Sequence, residues 1–166
     1  AQFDNVEKGL TNIGTQSWVP WYTMHKILAG LVDTYKYTGN QTALETAEAL
    51  GDWIYDRAAG WDMATRNRVL GIEYGGMNDC LYELYAVTQN DKYAVAAHVF
   101  DEDSLFKTVA AGADNALNNK HANTTIPKFL GAINRYVTTN GKVINGEEVD
   151  ASAYLTYAEK FFDMVL

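Results

Sequence analysis

Gly71-Ile-Glu-Tyr-Gly-Gly-Met-Asn-Asp-Cys-Leu-Tyr-Glu-Leu-Tyr85 runs from a polar, glycine-hinged loop directly into an amphipathic helix. The adjacent glycines Gly75 and Gly76 let the backbone take positive φ and approach a neighbour closely. Glu73, Tyr74, Asn78 and Asp79 surround that hinge with groups able to hold hydroxyls. From Met77 onward the apolar spacing is helical, with Met77, Leu81, Leu84 and Tyr85 on one face. A polar loop at the mouth of a helix is one way to build a small-molecule site. A glycine turn before a helix is also ordinary structural punctuation.

Working outward, the same pattern recurs on both sides. Trp18-Val-Pro-Trp-Tyr-Thr-Met-His25 leads into a helix that Pro20 is well placed to begin. Met24, Ile27, Leu28, Leu31, Val32 and Tyr35 form its apolar stripe, and Thr38-Gly39-Asn40 ends it. A second helix follows at once, with Thr42 and Glu45 as a candidate capping box and Leu44, Ala47, Gly51 and Ile54 on one face. After the hinge, the Met77 helix stops at Thr88-Gln89-Asn90-Asp91, and a short helix runs from Lys92 to Phe100. Helices between Asp103 and Asn119, capped by Asp103 or Ser104, complete this second unit. A third begins at Ile126-Pro127, closes at Thr138-Thr-Asn-Gly141 and, after an insertion, resumes through Tyr154, Tyr157 and Phe161.

Helical hairpins repeated with a period near 50 residues must stack on one another to bury their apolar faces. The expected fold is therefore all-α, either an open solenoid or a toroid in which inner and outer helices alternate. The polar loops before the first helix of each pair favour the toroid, because it gathers those loops on one rim. No strand-like alternation of any length is expected. Residues 1–17 read as an irregular lead-in, and the whole of 1–166 as part of a single larger barrel domain cut at both ends.

Composition narrows the partners. Hydrophobic content of 48% with 20% charged residues belongs to a globular chain. A formal charge of −8 argues against nucleic acid and anionic membranes. Aromatic content of 13%, including 11 Tyr and 4 Trp, suits stacking on sugars and equally suits a helical core. No run of about 18 apolar residues is present to span a membrane. Cys80 is the single cysteine, which excludes an internal disulfide and a cysteine-rich zinc site made by this chain alone. Its simplest reading is a small buried residue. One cysteine does not decide between a secreted and a cytoplasmic protein.

On the toroid reading three polar clusters occupy equivalent rim positions. They are Trp21, Tyr22 and His25; Glu73, Tyr74, Gly75, Gly76 and Asn78; and His121 with Asn123. Each has a plain structural alternative: His25 as a hydrogen-bonded core histidine, Glu73 as a cap for the next helix, Asp79 as an N-cap or a first-turn acid favoured by the helix dipole. His98 reads as structural. No phosphate loop, dinucleotide fingerprint, His-Glu-x-x-His or Gly-x-Ser-x-Gly motif is present. No pair of glycosidase carboxylates can be assigned.

Val19-Pro-Trp-Tyr-Thr-Met-His-Lys-Ile-Leu-Ala-Gly-Leu31, Glu73-Tyr-Gly-Gly-Met-Asn-Asp79 and His121-Ala-Asn-Thr-Thr-Ile-Pro-Lys128 together resemble the catalytic domain of glycoside hydrolase family 127, which includes bacterial β-L-arabinofuranosidases. The resemblance runs from residue 18 to 166. It implies an (α/α)6 barrel and retaining hydrolysis of an arabinofuranoside or similar glycan. It further implies a zinc-held cysteine thiolate as nucleophile and a separate glutamate as acid and base, all in later helices outside this chain. Cys80 matches none of those ligands. What carries over is half of the sugar pocket, with His25 and His121 resembling substrate contacts, no catalytic or metal residue within 1–166, and no activity for this piece alone. Self-association through apolar flanks is expected. Two other readings stay open: a non-catalytic helical repeat that binds glycan or protein, and another α/α-barrel enzyme, such as an unsaturated glucuronyl hydrolase, working with carboxylates.

Overall fold

The computed structural model describes residues 1–11 and 17–166. The fold is all-α: helices α1 (Gln2–Glu7), α2 (Pro20–Thr38), α3 (Gln41–Ala58), α4 (Met63–Leu70), α5 (Met77–Thr88), α6 (Asp91–Val99), α7 (Asp103–Ala110), α8 (Ala122–Thr139) and α9 (Ser152–Val165). Between α8 and α9 the strands β1 (Val143–Ile144) and β2 (Glu147–Glu148) form a minimal antiparallel hairpin.

α2, α5 and α8 lie side by side, with α5 in the middle. α3 packs on α2, α6 on both α5 and α3, and α9 on α8 and α7. One core fills the space among α2, α3, α5 and α6, with Leu28, Val32, Ile54, Leu81 and Leu84 all essentially inaccessible to water. Burying a side chain of this size stabilises by roughly 1.5–3 kcal/mol. A second core joins α7, α8 and α9 through Phe106, Phe129, Tyr154 and Phe161. Phe129 and Phe161 stack there with ring centroids 4.0 Å apart.

The three hairpins share a chemical device that the 50-residue spacing reflects. Each first helix ends in Thr-x-Asn, at Thr38–Asn40, Thr88–Asn90 and Thr138–Asn140. Each threonine hydroxyl donates to the carbonyl four residues back, at Thr34, Leu84 and Asn134. Each asparagine side chain then accepts a backbone N–H that starts the next helix: Ala43 at 3.0 Å, Lys92 at 3.2 Å and Ala151 at 2.8 Å. The residue between them takes left-handed backbone in two of the three, Gly39 at φ 70° and Gln89 at φ 54°. One asparagine thus closes one helix and opens another.

The structure departs from the sequence reading in five places. The lead-in is not wholly irregular: Gln2–Glu7 form α1, fixed by Arg57, whose Nε donates to Glu7 at 2.5 Å and whose other nitrogen pairs with Asp4. The remainder of that lead-in, 12–16, lies outside the described residues. Helix α4 was not anticipated, because Met63-Ala-Thr-Arg-Asn-Arg-Val-Leu70 has no clear apolar stripe; Asp62 starts it by accepting the Thr65 N–H at 2.7 Å. The caps differ too. α3 starts at Asn40 and not through Thr42, and α7 at Glu102, which leaves the helix N–H groups uncapped because its carboxylate is engaged elsewhere. α8 starts at Ala122, so His121 is its first flanking residue and Pro127 lies within it. Finally, the β1–β2 hairpin occupies the insertion after α8, turning on Asn145 (φ 51°) and Gly146 (φ 82°).

Replacing Asn40 by Ala is expected to remove about 1 kcal/mol. That corresponds to a melting temperature lower by about 2–4 °C in a chain of this size. Asn40→Asp, which keeps the acceptor oxygen, should leave thermal unfolding nearly unchanged in differential scanning calorimetry.

Candidate functional site

The glycine hinge is defined by what presses on it. Gly75 has φ 62°, and a Cβ there would lie 2.5 Å from His25 Nδ1 and 2.9 Å from the Tyr22 ring. A Cβ on Gly76 would lie 2.7 Å from Pro127. The hinge therefore fits between α2 and α8 only because neither residue has a side chain. His25 fixes it further, since the Gly76 N–H donates to His25 Nδ1 at 3.2 Å. A neutral ring accepting at Nδ1 carries its proton on Nε2. Burial and the nearby Lys26 ammonium push the imidazole down to about 4, so it is uncharged at neutral pH.

Beneath the hinge lies a buried polar node. Asp101 is fully buried, at 0% exposure. Its Oδ1 accepts from Asn78 Nδ2 at 3.1 Å, and its Oδ2 accepts from the Tyr82 hydroxyl at 2.8 Å and Arg135 at 2.6 Å. His98 Nδ1 lies 3.1 Å from Oδ2 as well. The Asn78 Nδ2 group also donates to the Lys128 carbonyl at 3.0 Å. Gly131 makes room for this, because a Cβ there would overlap the Asn78 amide at 2.3 Å.

One residue further along the chain, Glu102 turns outward into a cleft of about 240 Å³. Glu73, Lys120, His121, Thr124 and Lys128 line the same cleft. Glu102 Oε2 accepts from Lys128 Nζ at 2.5 Å and from the Tyr74 hydroxyl at 3.2 Å. The Lys128 ammonium also sits over the Tyr74 ring, 4.2 Å from its centroid. Burial pushes that ammonium below the usual lysine range, against the raising effect of Glu102.

The residues singled out from sequence therefore separate into layers. His121 and Asn123 are exposed at the start of α8; Tyr22 and Glu73 are half-buried. Glu73 and His121 line one cleft, while Gly75, Gly76, Tyr22 and His25 pack on one another and do not line it. Trp21 lies deeper, 1% exposed among Phe3, Trp61 and Phe100. Tyr74 and Asn78 are also fully buried, and touch the cleft only through Glu102 and Lys128. Asp79 is a first-turn acid of α5, not its cap; burial raises it to about 6 despite the Asn134 amide donating to it at 2.6 Å. The sequence reading passed over Asp101, Glu102 and Lys128. Only Lys128 carried a signal, as the last residue of the His121 motif.

Three stretches far apart in the chain thus meet at one glycine hinge, and two of them also line one polar cleft. A family model described as beta-L-arabinofuranosidase, GH127 catalytic domain, matches residues 5–166. The chain belongs to glycoside hydrolase family 127. No curated protein matches it. The three stretches that resembled this family in the sequence are the three that meet at the hinge of this GH127 chain.

The described residues of this GH127 chain include one cysteine, Cys80. No group of three His, Cys, Asp or Glu among them is placed to hold a metal ion. Cys80 is buried in the apolar core, its thiol 3.4 Å from the Met77 carbonyl and pushed by burial well above the usual thiol range. A neutral thiol without a second ligand does not fit a zinc site.

Two of the perturbed groups, His25 and Asp79, pull stability in opposite directions with pH. His25, depressed from 6.5 to about 4, supplies stability above 6.5 that is lost as pH falls towards 4. Asp79, raised from 3.8 to about 6, supplies stability at low pH that is lost as pH rises towards 6. The two partly cancel between pH 4 and 6. Asp79→Asn is therefore expected to steepen the loss of stability on acidification across that window, measured as urea midpoints. An unchanged slope would contradict the burial argument for Asp79.

Proposed function

We propose that this chain supplies one half of the sugar pocket of a retaining glycosidase acting on β-L-arabinofuranosides or similar glycans. The observation that carries the reading is the meeting of Tyr22, His25 and Pro127 at the Gly75–Gly76 hinge, with Glu73, His121 and Lys128 of the same segments lining one cleft. His121, exposed at the mouth, meets the sugar together with Glu73. His25 holds the hinge in place, and Gly75 and Gly76 bring its backbone close. Trp21, Tyr74 and Asn78 act from beneath as supports, and Asn123 borders the mouth.

The rest of the proposal follows the family. Hydrolysis belongs to the full-length enzyme, with the zinc, its cysteine and glutamate ligands and the acid–base glutamate outside residues 1–166. The side-by-side packing of α2, α5 and α8, with α3 and α6 behind, supports placement within an (α/α)6 barrel. So does an apolar groove of about 500 Å³ between α8 and α9, where Leu130 and Phe162 are half or more exposed. That face suits the next hairpin of the barrel, and it would drive self-association of the chain in isolation. Among the described residues no helix is long and apolar enough to cross a membrane.

In the full-length enzyme, His121→Ala is expected to lower kcat/KM for an aryl arabinofuranoside by roughly tenfold or more, the loss of one hydrogen bond to the sugar, with circular dichroism unchanged. The 166-residue chain alone should release no arabinose from that substrate. Unaltered kinetics in His121→Ala would remove the cleft from the sugar site.

A further inference from the structure

The Glu102–Lys128 pair lines the cleft with its side chains mostly but not wholly buried, Lys128 at 8% and Glu102 at 14% exposure. Glu102 Oε2 carries both of its bonds, to Lys128 and Tyr74, while Oε1 accepts none from the described residues. Lys128 Nζ donates one bond and has three to give. An acceptor and a donor are thus left side by side. Their positions are set from below: Asn78 holds the Lys128 carbonyl and Asp101, the neighbour of Glu102.

The charge balance points to the ligand. The ionisable residues lining the cleft are Glu73, Glu102, Lys120 and Lys128, besides His121. With His121 neutral they sum to zero. Lys128 is neutralised by Glu102, and Lys120 shares the cleft with the Glu73 carboxylate, so the lining offers an anionic sugar no net positive charge. A hydroxyl both donates and accepts, so two adjacent hydroxyls of an uncharged sugar can satisfy Glu102 Oε1 and the spare Lys128 N–H groups together.

We infer that Glu102 and Lys128 are specificity-determining residues that read adjacent hydroxyls of a neutral sugar and select against sugars bearing a carboxylate. The inference rests on the sugar-pocket reading given under Proposed function and names the chemistry of that pocket. Glu102 accepts the proton of one hydroxyl, and Lys128 donates to the oxygen of the next. Neither residue needs to touch a reacting bond.

The test is a selectivity measurement in the full-length enzyme, with L-arabinose and D-galacturonate as probes and binding read by ligand-observed NMR titration. Glu102→Gln removes the charge that neutralises Lys128. Affinity for L-arabinose should fall roughly tenfold, the worth of a charge-assisted hydrogen bond, while affinity for galacturonate rises. Lys128→Met should weaken L-arabinose binding without any gain for galacturonate. A purely structural ion pair would lower both affinities alike, or neither, and would show mainly in the melting temperature; that result overturns the inference. If L-arabinose binding is lost in His121→Ala but unaffected by Glu102→Gln, the pocket reading stands and this inference falls. If wild-type enzyme binds neither sugar, both fall.

Discussion

Everything near the cleft depends on one buried carboxylate. Asp101 is sealed from water, yet its oxygens hold Asn78 and Tyr82 of α5 and Arg135 of α8. Arg66, on α4, donates to the Asp101 carbonyl at 2.7 Å. A charge taken out of water is tolerated only when its lone pairs are filled. Here the filling comes from α5 and α8, with His98 of α6 beside Oδ2, while Arg66 of α4 holds the backbone carbonyl. The requirement fixes their mutual placement: breaking one such partnership typically costs about 3–5 kcal/mol, whereas sliding an apolar contact costs far less.

The cleft follows from that placement. Asn78 donates to the Lys128 carbonyl as well as to Asp101, so α8 is held at one height against α5. Glu102, next in sequence to Asp101, is thereby delivered to the Lys128 ammonium. Above the node, the side chains missing from Gly75, Gly76 and Gly131 let three backbones approach more closely than any other residue would permit. A stack of helical hairpins gains in this way a rigid polar recess, with its charged pair neither free in solvent nor wholly enclosed.

Much of this was legible in the sequence, for physical reasons. The 3.6-residue period of apolar positions located the long helices, because burial acts along a whole face. The Thr-x-Asn stops marked the hairpins, because an αL or Asn cap has few substitutes. Adjacent glycines in a polar loop flagged the hinge. The short elements were illegible for the opposite reason. α4 has no stripe, and its Asp62 cap is a single residue. The β-hairpin rests on two residue pairs, though Asn145-Gly146 is a turn signal that could have found it. The depth of Trp21, Tyr74 and Asn78 was also hidden, since a polar or aromatic residue beside a loop reads the same whether it faces solvent or supports what does. Asp101 and Glu102 sit between helices with no motif around them, and only the fold brings them to Asn78 and Lys128.

A crystal structure of the full-length enzyme with arabinose bound tests the central claim most directly. The account predicts sugar hydroxyls within hydrogen-bonding distance of His121, Glu102 and Lys128, with Gly76 still bonded to His25. Arabinose seated away from the Glu73–Lys128 cleft, with only water between these side chains, would contradict it.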